Sequence, residues 1–115
     1  MKNEEHREQC ALFKWMSYHS IFDCTFAIPN GGHRDIRVAV KLKSEGVKSG
    51  IPDIFIPIAR GKVHGLFIEM KSKKGRASEK QNLMIGRLKE KGYEVKICFG
   101  FDDAKKTIEE YLSHE

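Results

Sequence analysis

Between Glu4 and Tyr18 the apolar residues Ala11, Leu12, Trp15 and Met16, with the small Cys10 one turn earlier, recur at helical spacing among charged positions. That period predicts an amphipathic N-terminal helix. The segment Phe22 to Ile28 reads as a strand, stopped by the turn-forming run Pro29-Asn30-Gly31-Gly32. A second helix is expected from about Asp35 to Glu45, with Ile36, Ala39, Val40 and Leu42 in one stripe and Gly46 placed for a left-handed C-terminal residue. Ile54 to Ile58 and Gly65 to Met70 are apolar, largely β-branched and aromatic runs separated by Arg60-Gly61-Lys62, the pattern of a β-hairpin. Ser78 stands three residues before Gln81, the spacing of a capping box, and opens a helix through Leu83, Met84 and Leu88 that ends at Gly92. Tyr93, Val95 and Ile97 then alternate with Glu94, Lys96 and Cys98 as a half-buried strand does. Asp102 or Asp103 is placed to cap a last helix whose Ala104, Ile108, Tyr111 and Leu112 face the core. The order helix, strand, helix, hairpin, helix, strand, helix belongs to an α/β fold, a mixed sheet flanked by helices.

A chain of 115 residues suits one domain with one core and leaves no room for a separate target-reading domain. No repeats, low-complexity tracts or linkers interrupt it. With 40% hydrophobic and 32% charged residues the composition is that of a soluble globular protein. No apolar run approaches the roughly 20 residues of a membrane span. The N-terminus lacks the basic-then-apolar order of a signal peptide, which places the protein in the cytoplasm. Cys10, Cys24 and Cys98 are odd in number and widely spaced, so neither a disulfide framework nor a zinc site is indicated, and all three are expected to be small buried hydrophobes. The net charge is +5 with a pI near 9.2. The excess gathers at Lys41, Lys43 and Lys48, from Lys71 to Arg76, and from Lys80 to Lys91. Such clusters suit a polyanionic partner, although a solvated helix face carries similar ones.

The chemistry concentrates in Gly50-Ile51-Pro52-Asp53 and Glu69-Met70-Lys71. Alternate residues of a strand share a face, so Glu69 and Lys71 project together while Met70 turns into the core. A magnesium ion takes oxygen ligands and keeps several waters, so one or two carboxylates and a phosphate suffice to hold it. Asp53 and Glu69 supply those carboxylates, and the backbone carbonyl of Met70 is available as a third ligand. A lysine beside such a cation orients the attacking water or helps take its proton. Acid-x-lysine triplets are common in so charged a chain, and Glu94-Val95-Lys96 and Asp103-Ala104-Lys105 are two others. Only Glu69-Met70-Lys71 follows a Gly-x-Pro-Asp at the mouth of the adjoining strand.

Gly50-x-Pro52-Asp53, Glu69-x-Lys71 and the downstream Gln81 resemble the VRR-Nuc family of the PD-(D/E)xK nuclease superfamily. The resemblance covers nearly the whole chain, including Glu5 and Gln9 in the first helix, Pro29-Asn30-Gly31-Gly32 with Arg34, and Ser78-x-x-Gln81. It implies a restriction-endonuclease-like core in which Asp53 and Glu69 bind Mg²⁺ or Mn²⁺, Lys71 is the catalytic lysine and Gln81 joins them. It also implies an N-terminal glutamate near the metal, for which Glu5 has the better spacing and Glu8 is the rival. Arg34, Lys73, Lys74 and Arg76 flank the expected site and are candidates for phosphate contacts. The histidines form no ligand-like spacing, and Phe13 and Trp15 fit a core or dimer interface better than a base-stacking platform.

The expected activity is metal-dependent hydrolysis of DNA phosphodiesters. With almost nothing beyond the nuclease core, recognition of DNA shape is favoured over sequence. Stand-alone members of the family resemble Holliday-junction resolvases, whose paired nicks call for a C2 homodimer. The alternatives are a flap or single-strand nuclease of the same fold, a non-catalytic nucleic-acid-binding module, or a metal-free subunit of a larger assembly.

Overall fold

A computed structural model describes residues 2–29 and 35–115. The first helix, α1 (Lys2–Met16), leads through a 3-10 turn (Ser20–Cys24) to a short strand, β1 (Phe26–Ala27). There follow α2 (Ile36–Ser44), β2 (Ile54–Ile56), β3 (Leu66–Lys71), α3 (Glu79–Glu90), β4 (Glu94–Phe99) and α4 (Phe101–Ser113). The strands lie in the order β1-β2-β3-β4. Both β1/β2 and β2/β3 are antiparallel, whereas β3 and β4 run parallel with Glu69 beside Ile97 and Lys71 beside Phe99. A parallel pair needs a crossover, and α3 supplies it. The α/β mixed sheet and the β2/β3 hairpin are as the sequence predicts.

Strand parity divides the sheet into two faces. Leu66, Ile68 and Met70 of β3, with Ile54, Ile56 and Cys98, point into a core closed by Leu12 and Met16 of α1 and by Ala104, Ile108 and Tyr111 of α4. Burying so many aliphatic side chains is the main stabilising term. The Tyr111 hydroxyl stays satisfied in that core by donating to the Ile58 carbonyl at 2.6 Å. Phe67, Glu69 and Lys71 have the opposite parity. On that face Phe55 and Phe67 stack with centroids 4.4 Å apart, and Tyr93 meets Phe55 and Phe67 edge-on.

Several elements depart from the sequence pattern. The predicted strand from Phe22 to Ile28 is mostly a 3-10 turn, because the Thr25 N–H and hydroxyl both bond back to the Ile21 carbonyl and curl the chain before it reaches β2. Among the described side chains of α1 only Leu12 and Met16 form the buried row, and Ala11 and Cys10 face solvent. Cys10 and Cys24 are exposed thiols, and Cys98 alone of the three is buried. No residue of α2 is buried, and Ile36 and Val40 of its apolar stripe are 76% and 63% exposed. In β4 both Val95 and Cys98 are buried, since helices pack near both faces of this parallel strand and strict alternation fails. The N-cap of α4 is Gly100 rather than Asp102 or Asp103; Asp103 instead accepts a hydrogen bond from the Phe99 N–H at 2.8 Å.

Candidate active site

Asp53 is placed by the sheet before its side chain does anything. Its N–H donates to the Ile68 carbonyl at 3.0 Å, and its carbonyl accepts from the Ile28 N–H at 2.7 Å, so the residue is clamped between β3 and the end of β1. Pro52 beside it is fully buried. The side chain reaches across to β3, where Oδ2 accepts from the Met70 N–H at 2.8 Å. Gly50 shapes the approach: its φ is +86°, and a Cβ there would stand 2.8 Å from the Lys80 carbonyl oxygen in the first turn of α3. Only glycine meets both conditions without strain.

Glu69 sits in the middle of β3 and is 4% exposed, a rare degree of burial for a carboxylate. Its Oε2 receives two donors, Gln81 Nε2 at 3.0 Å and Lys71 Nζ at 3.4 Å. Lys71 is 14% exposed along its side chain, and its stem packs where Gly75 has no side chain of its own. Gln81 serves two purposes at once. Its Oε1 accepts from the Ser78 N–H at 2.8 Å while the Ser78 hydroxyl accepts from the Gln81 N–H at 3.1 Å, completing the capping box and aiming Nε2 at Glu69.

Burial and neighbouring negative charge raise the pKa of both carboxylates. Desolvation raises the pKa of Asp53; the Met70 N–H works against that rise, and the negative charge of Glu5 adds to it. Glu69 is pushed up to about 7, first by burial and then by the charge of Asp53, against the pull of Lys71. The two carboxylates therefore titrate as a coupled pair, both displaced upward from the ordinary carboxylate range.

The other sequence candidates separate cleanly. Glu5 acts on Asp53 through its charge, whereas Glu8, one turn on, turns its Oε1 to the Phe101 N–H and caps α4. The Met70 side chain is buried in the core and its N–H is taken by Asp53. Lys73, Lys74 and Arg76 are exposed on the loop between Lys71 and the Ser78 cap. Arg34 lies outside the described residues. The two other acid-x-lysine triplets are solvated or structural. Glu94 and Lys96 pair at the same 3.4 Å as Glu69 and Lys71 but are 36% and 53% exposed, and Lys105 lies over the Trp15 ring. Among the described residues no group of three or more His, Cys, Asp or Glu side chains forms a ligand cluster. The pair of carboxylates still fits a hard dication. It offers oxygen donors only, carries more negative charge than one lysine offsets, and matches the few protein ligands magnesium requires.

The VRR-NUC domain family profile matches residues 2–102. A solved structure described as a VRR_NUC domain protein superimposes with a TM-score of 0.86 at 31% identity, covering 96% of this chain and 89% of that one. No curated protein matches. Among the described residues no helix is long and apolar enough to cross a membrane.

Proposed function

The chain belongs to the VRR-NUC domain family, whose members are PD-(D/E)xK nucleases, and on that premise we propose that it is a Mg²⁺- or Mn²⁺-dependent endodeoxyribonuclease. We take branched DNA as its substrate, cut by a homodimer in the manner of a Holliday-junction resolvase. The observation that carries the nuclease reading is half-buried Asp53 beside buried Glu69, with Lys71 and Gln81 converging on one oxygen of Glu69.

In this reading Asp53 and Glu69 would hold the cation, with the Met70 carbonyl as a further ligand and Glu5 adding negative charge from α1. A divalent cation held there supplies charge neutralisation for the phosphate and acidifies the attacking water. The protein's own groups do the rest. The Met70 N–H fixes the Asp53 carboxylate, and Gln81 fixes that of Glu69. Lys71, on the same strand face as Glu69, orients the water and stabilises the charge that develops on the phosphate oxygens. Lys73, Lys74 and Arg76, on the exposed loop beyond Lys71, are placed to meet neighbouring phosphates, contacts that give affinity and salt dependence without sequence information. Two symmetric nicks across a junction require two such sites, which a C2 homodimer presents.

The test is cleavage of four-way junction, flap, duplex and single-stranded DNA by purified protein with magnesium, manganese or chelator, with Asp53→Asn and Lys71→Ala as controls. Metal-dependent cuts in the junction, absent from both variants, are expected. No cleavage with either metal defeats the nuclease reading. Linear duplex cut as readily as junctions removes the resolvase assignment and leaves a nuclease, and a preference for flaps or single strands selects that alternative. A monomer alone at micromolar concentration in sedimentation removes the paired-nick argument.

A further inference from the structure

Between α2 and α3 lies an open cleft of about 570 Å³, within the ~300–1,000 Å³ common for binding pockets. Its rim carries Lys43, Lys48, Lys80 and Arg87, and among the described residues no acid lines it. Its floor is aliphatic, from Leu42, Val47, Leu83 and Met84, and Leu83 is 57% exposed. The cleft is lined by none of Asp53, Glu69, Lys71 or Gln81 but connects to the candidate active site through their neighbours. Ser49 lines it, the adjacent Gly50 lies against the backbone of Lys80 and Gln81, and Gln81 holds Glu69.

We infer that this cleft binds an unpaired stretch of the DNA strand that runs into the active site, an inference that rests on the nuclease reading. Charge complementarity selects the occupant. Four cations around the rim match a phosphodiester backbone, and an aliphatic floor matches the sugar and base faces that only an unstacked strand exposes. A duplex turns its phosphates outward and keeps its bases stacked, so it would meet the rim and leave the floor uncovered. Ala39 and Leu42 of α2, neither of them buried in the core, then border a channel that the strand covers. A site that takes unpaired nucleotides beside the scissile phosphate accounts for selectivity toward flaps, and toward junctions whose central pairs open, without any base reading.

The test is fluorescence anisotropy with a fluorescein-labelled oligo-dT and a blunt duplex of equal length, in chelator across a salt series, so that binding is read apart from cleavage. The variants are Lys43→Ala/Lys48→Ala/Arg87→Ala and, separately, Leu83→Glu, all at exposed positions, with melting temperature as the folding control. The triple variant is expected to bind oligo-dT roughly tenfold or more weakly, with the slope of log K against log salt smaller by about 2, three contacts at about 0.7 each. Leu83→Glu is expected to weaken oligo-dT more than duplex. Unchanged oligo-dT affinity and slope in the triple variant overturn the inference, as does an equal loss on duplex. Tighter binding of wild-type protein to phosphatidylserine vesicles than to oligo-dT also overturns it, assigning the basic apolar cleft to a membrane surface. A nuclease assay that fails while oligo-dT still binds through these residues defeats the catalytic reading alone.

Discussion

Gln81 ties the first turn of α3 to the buried carboxylate of Glu69, donating its amide N–H to Glu69 at 3.0 Å and accepting the Ser78 N–H on its amide oxygen at 2.8 Å. The helix start and the site are therefore one construction, and the two roles separate by substitution. Gln81→Glu keeps an acceptor for Ser78 but loses the donor and sets another carboxylate against Glu69. Cleavage is expected to fall about 10–100-fold, the usual cost of losing a group that orients a metal ligand. The melting temperature at pH 5, where Glu69 is protonated, should stay near wild type. Gln81→Ala should lose both, with about 1 kcal/mol of stability from the cap. Wild-type cleavage by Gln81→Glu would remove the residue from the site.

Asp53→Asn should abolish metal-dependent cleavage yet stabilise the metal-free protein at pH 8. The amide oxygen still accepts from the Met70 N–H, while the charge that pushes up Glu69 disappears. In thermal melts the variant should melt above wild type in chelator and gain nothing from added magnesium. Wild type should gain in the way any ligand confined to the native state stabilises it. A variant that melts lower in chelator would show that the pair is not strained by its own charge.

How far the sequence discloses this site follows from the range of each interaction. Glu69 and Lys71 share a face because strand parity is local, and the Ser78–Gln81 box is a four-residue motif, so both were readable from spacing. The direction of the glutamates on α1 was not. Glu5 and Glu8 are one turn apart, and which of them meets Asp53 depends on how Leu12 and Met16 seat the helix against the sheet and α4. The exposure of Cys10, Cys24 and the α2 stripe is tertiary in the same sense, because periodicity marks an apolar face but does not state whether anything covers it. The basic residues were visible as runs along the chain. Their division between the loop after Lys71 and the α2–α3 cleft required the fold.

The pH dependence follows from Glu69, whose pKa moves from 4.5 to about 7 on folding without metal. Between those values the native state holds more protons than the unfolded chain, so stability falls as pH rises through the window and levels above about 7. The raised Asp53 acts in the same direction. Metal must displace the Glu69 proton, so magnesium affinity should climb by about tenfold per pH unit below the shifted pKa and flatten above it. Calorimetry in buffers of different ionisation enthalpy would count the released proton. Magnesium binding at pH 6 with no proton release would contradict the assignment.

Gly50→Ala probes the contact between the Asp53 loop and α3. The φ of +86° and the Lys80 oxygen, 2.8 Å from where an alanine Cβ would stand, leave no room for a methyl group. A loss of about 1–3 kcal/mol is expected from the backbone strain alone. Cleavage by the folded fraction should fall as well, because the shift separates Asp53 from the helix that carries Gln81. Gly46→Ala is the control, since its φ is +101° but nothing lies within 4 Å of the added carbon. If both variants lose stability equally and Gly50→Ala keeps full activity once folded, the close approach has no bearing on the site.

Glu5 and Glu8 make opposite predictions from positions one turn apart. Glu8 accepts the Phe101 N–H at the start of α4, so Glu8→Ala should cost about 1 kcal/mol of stability, the scale of a lost helix cap, and leave magnesium affinity unchanged. Glu5 adds to the negative field on Asp53, so Glu5→Gln should relieve the metal-free protein and raise its melting temperature slightly while weakening metal binding. Titrating magnesium against cleavage rate separates the cases, with the midpoint shifted upward for Glu5→Gln and unmoved for Glu8→Ala. A shift produced by Glu8→Ala instead would make Glu8 the glutamate that serves the metal.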